Sequence, residues 1–231
     1  MKLGIMQPYF LPYIGYWQLI NAVDVFVIYD NIQYTKKGWI NRNRVLNNGK
    51  DVYITIPIEK DSDFLNVDER IISESFDKKK ILNQIKEYYK KAPNFPNGIK
   101  IFEEILVFEE RNLFEYIFNS IKVICNKLEI NTQIIISSEI EIDHKLKGKD
   151  KVISICKALN ANEYINPIGG TDLYSKESFS NNGIQLEFLE STILPYEQFN
   201  CEFIPYLSII DILMFNSQVT VKRMLENYRL L

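Results

Sequence analysis

The chain has 231 residues, 46% hydrophobic and 25% charged, with 27 Lys and Arg against 30 Asp and Glu and a formal net charge of -3. Such a composition suits a globular chain of one domain, or one and a half small ones, with a sizeable core. The acidic balance excludes a global positive field of the kind that draws proteins to nucleic acid or anionic membrane, and no run reaches the roughly eighteen apolar residues of a membrane span.

Lys2 to Met6 is a short apolar run that predicts a strand. It meets Gln7-Pro8 and a ring-rich turn, Tyr9 to Trp17, that leads into a short helix, and no signal peptide is expected from so brief an apolar start. Val25 to Tyr29 predicts a second strand, closed by Asp30. This strand, helix, strand unit puts Gln7, Tyr13, Tyr16, Asp30, Gln33 and Tyr34 on loops at the carboxyl edge, where open α/β sheets bind ligands. Gln7 offers both an amide donor and an acceptor, and the Tyr13 and Tyr16 hydroxyls stand three residues apart on one helical face. Asp30 can orient a ligand hydroxyl or hold Mg²⁺ through water.

Tyr34 to Arg44 is polar and basic and reads as a loop near the site. Lys37, Arg42 and Arg44 can neutralise a diphosphate, arginine bidentately, and Trp39 stands among mostly polar neighbours. Asn47-Asn48-Gly49 signals a tight turn, and Val52 to Ile58 alternates as a strand should. Glu69 to Ser73 is a candidate short strand. Residues 77–128 then give three helical patterns, the first capped by Asp77 and ended by Pro93, and read as a helical insertion or lid within a single domain spanning residues 1–231.

Thr132 to Ser137 is β-branched and predicts a strand. The polar stretch that follows carries His144, the only histidine, placed to serve as a general base before a helix from Lys149 to Leu159. With one histidine and no cysteine pair at ligand spacing, no metal site is expected. Glu163 to Asn166 is a short strand running into Pro167-Ile168-Gly169-Gly170, whose adjacent glycines allow close backbone approach and an anion nest. Asn166, Gly169, Gly170 and Tyr174 therefore join the candidate ligand-binding set. Gly183 to Leu189 reads as an edge strand, and Asp211 stands among apolar residues of a last helical stretch, with a further helix over Thr220 to Tyr228. Cys125, Cys156 and Cys201 are widely spaced beside apolar residues, the pattern of free thiols in a reducing compartment such as the cytosol. Two strand, helix, strand units separated by helices argue for a Rossmann-like, mostly parallel α/β sheet flanked by helices.

The first unit resembles the nucleotidyltransferase-like α/β superfamily, in which a His-x-Gly-His pair starts the first helix. Here Tyr13-Ile14-Gly15-Tyr16 stands in that place, and a phenol cannot act as an imidazolium near neutral pH. Across nearly its whole length the chain resembles the WbqC-like family, through GIMQPYFLPYIGYWQLI, FVIYDNIQYTKKGWINRNR, the His144 segment with ISICKALNANEYINPIGG, and IPYLSIIDILMFN. That resemblance implies work on nucleotide-linked or amino sugars for surface polysaccharides. The expected reaction is acyl or aminoacyl transfer from a donor such as a thioester, with His144 as base, Asp30 and Tyr13 assisting, and a small sugar rather than nucleic acid as partner. Nucleotidyl transfer with a nucleoside triphosphate and Mg²⁺, or sugar-nucleotide binding without turnover, remain the alternatives.

Overall fold

A computed structural model describes residues 1–231. Six strands form one sheet: β1 (Lys2–Met6), β2 (Val25–Ile28), β5 (Gln133–Ile136), β6 (Glu163–Pro167), β7 (Gln185–Ser191) and β8 (Tyr228–Leu230). Their order is β5-β2-β1-β6-β7-β8, all parallel except β8, which runs antiparallel beside β7. With α-helices on both faces this is a Rossmann-like α/β sheet, as the two repeating units predict.

Strand residues alternate between two cores, as a pleat of period two requires. Phe26, Ile28 and Ile165 face one core together with Trp17 and Leu19 of α1 (Ile14–Ala22). Leu3, Ile5, Val25 and Val27 face the other, with Val152 and Ile155 of α5 (Gly148–Ala158) and Phe179 of α6 (Lys176–Ser180). The helices that follow β1 and precede β6 thus lie on opposite faces. The crevice at the carboxyl ends of these neighbouring strands is the topological switch point, the usual place for a ligand in such sheets.

A second sheet is the hairpin of β3 (Arg42–Asn47) and β4 (Lys50–Thr55), joined by Asn48 and Gly49 with φ of 50° and 74°. Two successive positive φ values are what a two-residue hairpin turn needs. The pairing corrects two expectations: Arg42 and Arg44 are strand residues rather than loop, and the second strand begins earlier than Val52. Glu69 to Ser73 forms only isolated bridges, to Ile58 and Asn112. β7 is not an edge, because β8 covers it; the chain from Thr220 that reads as helix ends its helix, α8 (Gln218–Met224), early enough to supply that strand.

Helices α2 (Lys78–Tyr89), α3 (Phe95–Leu106) and α4 (Leu113–Leu128) follow the three helical patterns of residues 77–128. Asp77 accepts from the Lys80 amide and Asn112 from the Glu115 amide, so both starts are capped. Their apolar faces merge with α1 and α7 (Ile209–Phe215) in one core. No helix is long and apolar enough to cross a membrane.

Candidate functional site

β1, β2 and β6 each release the chain at the same sheet edge, and the loops that follow them wall a cavity of about 830 Å³. From β1 comes Gln7. Its carbonyl accepts a 3.0 Å hydrogen bond from the Tyr16 hydroxyl, and the Tyr9 hydroxyl lies 3.4 Å from its Oε1. From β2 come Tyr29, Asn31 and Gln33, the last donating 2.9 Å to the Asp63 carbonyl. β6 supplies Asn166, and the turn beyond it supplies Gly169, Gly170 and Tyr174. Asn166 accepts from the Tyr164 hydroxyl at 2.9 Å, and a Cβ at Gly170 would sit 1.8 Å from its Nδ2. Glycine at 170 is what lets the Asn166 amide lie flat on the turn. The remaining wall is His144, Lys147 and Gly148, with Lys151 one turn into α5.

These walls bring together residues more than a hundred positions apart. Asn31 Nδ2 lies 3.0 Å from His144 Nδ1, and His144 Nε2 lies 3.0 Å from the Ile140 carbonyl. Asn31 Oδ1 accepts from Lys151 Nζ at 2.9 Å, with Ser137 Oγ at 2.7 Å. Lys151 is 8% exposed and its ammonium stands 5.0 Å over the Tyr29 ring. Burial pushes its pKa down, while the nearby Asp30 carboxylate pulls it back up. Burial likewise raises the phenols of Tyr29, Tyr164 and Tyr174, which stay protonated donors at neutral pH. No Asp or Glu lines the cavity, so its charge is positive. The opening amides of α5 have no side-chain cap from Lys147, though Asp150 in that first turn offsets their positive pole. Phe64, 84% exposed, and Leu173, 71% exposed, make an apolar rim.

Of the residues singled out from sequence, Gln7, Gln33, His144, Asn166, Gly169, Gly170 and Tyr174 line this cavity. The others lie outside it. Asp30 is 4% exposed, and its Oδ1 accepts from Ser137 Oγ and the Ser138 amide, tying β2 to the end of β5. Tyr16 is buried behind Gln7, and Tyr34 is buried with its hydroxyl on Asn41. Tyr13 packs edge-on against Tyr206, and its ring lies across the start of α1, where a Cβ on Gly15 would come within 2.5 Å of it. A phosphate at that helix start would have to displace the ring. Arg42 donates to the Lys37 and Gly38 carbonyls and Arg44 pairs with Asp51, with Trp39 stacked on Tyr53 beside them. Lys37 is exposed in the turn that leads into this hairpin. The strand pairing of Arg42 and Arg44 carries this group away from the cavity wall.

Sequence reasoning passed over Lys147, Lys151, Tyr29 and the role of Asn31. A signal was present in part: Lys147 and Lys151 stand at the start of the helix that the sequence predicts directly after His144.

The family model described as WbqC-like protein family matches residues 7–223. The chain is also similar to the uncharacterized protein Rv1507c of Mycobacterium tuberculosis (strain ATCC 25618 / H37Rv), 28% identical over 219 residues that cover 93% of each chain. No solved structure matches.

Proposed function

The chain belongs to the WbqC-like protein family, and from that premise we propose that it is a cytosolic transferase acting on a nucleotide-linked or amino sugar in surface polysaccharide biosynthesis. The observation that carries this reading is the make-up of the cavity wall: the amides of Gln7, Asn31, Gln33, Asn66 and Asn166, the rings of Tyr9, Tyr29, Tyr164 and Tyr174, and two lysines without a carboxylate. Amides both give and accept hydrogen bonds, as sugar hydroxyls require. Phenol rings pack on the apolar face of a sugar or base. Lys147, Lys151 and the first turn of α5 suit a diphosphate. The volume falls in the roughly 300–1,000 Å³ range of small-molecule sites. Free thiols at Cys125, Cys156 and Cys201 suit a reducing compartment.

In the acyl-transfer form of the reaction, an acceptor amine or hydroxyl gives its proton to His144 Nδ1 as its electron pair bonds to the carbonyl carbon of a thioester. The thiolate leaves and takes that proton back. His144 begins and ends neutral. If Mg²⁺ enters with a triphosphate instead, ligand phosphates and neutral protein oxygens would have to hold it, because no carboxylate lines the cavity.

Calorimetric titration with a panel of sugar nucleotides and amino sugars tests the reading. A true ligand at a hundred times its Kd stabilises the fold by about 2.7 kcal/mol, a rise in Tm of roughly 5–10 °C for a chain of this size. If no member of the panel binds, the proposal fails. With a turning-over pair in hand, His144→Ala is expected to lower kcat about 10²–10⁴-fold; unchanged turnover would remove His144 from the chemistry. A second reading, binding without turnover, is favoured by one observation: both ring nitrogens of His144 already have partners within the protein. Binding with no product from any acyl donor or triphosphate would select it.

A further inference from the structure

We infer that Asn31 is a positioning residue that fixes which nitrogen of His144 takes part in proton transfer, and that Lys151 in turn fixes Asn31. The catalytic consequence rests on the transferase reading above; the geometric part does not.

The Ile140 carbonyl can only accept. His144 Nε2, 3.0 Å away, must therefore carry the proton. In the neutral ring the lone pair then sits on Nδ1, and it meets the Asn31 amide N–H at 3.0 Å. Amide orientation in an Asn is set by its partners. Turning this one over would place Oδ1 against the Nδ1 lone pair, and Nδ2 against the Lys151 ammonium. Both contacts would then pair like with like, acceptor on acceptor and donor on donor. Lys151 is buried among Tyr29 and α5, and its ammonium holds Oδ1 at 2.9 Å, while the one proton of the Ser137 hydroxyl serves either Oδ1 or Asp30 Oδ1. The amide is thus held from one end by a cation and presents its other end to the imidazole.

Two consequences follow. The nitrogen that exchanges a proton with substrate is Nδ1, because Nε2 is committed to the backbone. The substrate group that gives up the proton takes the place of Asn31 Nδ2, within about 3 Å of Nδ1, beside Lys151. Asn31 marks that subsite.

His144 is the only histidine in the chain, so a long-range ¹H–¹⁵N spectrum of the labelled full-length protein shows one imidazole and no other. At mildly alkaline pH the expected pattern is a single tautomer, proton on Nε2 and Nδ1 bare. Asn31→Asp replaces the donor facing Nδ1 with an acceptor and is expected to put a proton on Nδ1, so that both nitrogens read as protonated. Lys151→Met frees the amide to turn and weakens its N–H bond to Nδ1, so the Nδ1 resonance is expected to move towards that of an unbonded lone pair while Nε2 keeps its proton on the Ile140 carbonyl. Amide spectra and Tm of each variant check the fold, and either variant alone suffices for the test. A wild-type ring that already averages its tautomers would overturn the inference. So would a pattern that neither substitution moves, even with a lowered Tm, since that is what a merely structural Asn31 would give. Because the spectrum needs no ligand, failure of the sugar-nucleotide titration and failure of this positioning role are separate results.

Discussion

Asp211→Ala is expected to lower the free energy of unfolding by about 3–5 kcal/mol, read from urea denaturation of the full chain. Asp211 is completely buried on α7. It accepts from the Tyr89 hydroxyl at 2.6 Å, the Tyr196 hydroxyl at 2.5 Å and Gln198 Nε2 at 2.8 Å, and Tyr89 in turn accepts from the Leu46 amide of β3 at 2.7 Å. One carboxyl therefore joins α2, α7, β3 and the irregular segment before α7. Alanine leaves the Tyr89 and Tyr196 hydroxyls without an acceptor and Gln198 Nε2 with only the Ile204 carbonyl and the Tyr196 hydroxyl, and each orphaned donor costs about 1–3 kcal/mol. Burial pushes the Asp211 pKa above its ordinary 3.8, against the pull of its three donors. A raised acid means the folded state holds its proton where the unfolded state has lost it. The associated stability is present in full below about 3.8 and is lost as pH rises through the folded value. Asp211→Asn, which cannot titrate, separates this from shape: the wild-type margin over it should be widest at acid pH and narrow on going to neutral. A margin that widens with pH instead would mean that the carboxylate form is the one the network prefers.

That network shows where the sequence was readable and where it stopped. Asp211 among isoleucines announces a buried carboxyl, since an ionised group there needs partners, but Tyr89 lies 122 positions away and nothing in the chain points to it. The same division runs through the site. The ends of β1, β2 and β6 are legible because short apolar runs stop at Gln7, Asp30 and Pro167, and the carboxyl edge of a parallel sheet collects ligand loops. Placing β6 directly beside β1 is a tertiary fact: the register Leu3 to Tyr164 spans most of the chain. The basic run at Lys37, Arg42 and Arg44 looked like a phosphate loop because loops carry function. It was in part half of a hairpin, whose turn Asn48-Gly49 was recognised while its first strand, rich in Arg and Asn, lacks the β-branched signature of a strand. Tyr13 and Tyr16 were legible as a ring-rich turn, yet sequence cannot say whether a phenol faces ligand or core. Here Tyr16 serves Gln7 from behind.

Lys151→Met is expected to weaken binding of an anionic sugar ligand about 10- to 100-fold while leaving the fold as stable as before or slightly more so. Methionine keeps the unbranched length that packs along Tyr29 and removes only the ammonium. The lost contact is a charge-assisted one, worth about 1.5–3 kcal/mol, which converts to that range of affinities. Stability should not fall with it, because the charge is costly to bury: desolvation holds the Lys151 pKa below its ordinary 10.5. For a base the sign is opposite to that of Asp211. The folded state sheds the proton first, so wild-type stability recovers as pH rises from the folded value towards 10.5, and any advantage of the methionine variant should shrink over that window. Affinity and stability moving in opposite directions is the signature of a residue held in place for a ligand rather than for the core. A variant that binds the same sugar nucleotide as tightly as wild type would put the anionic pole elsewhere, with Lys147 and the opening turn of α5 left to carry it.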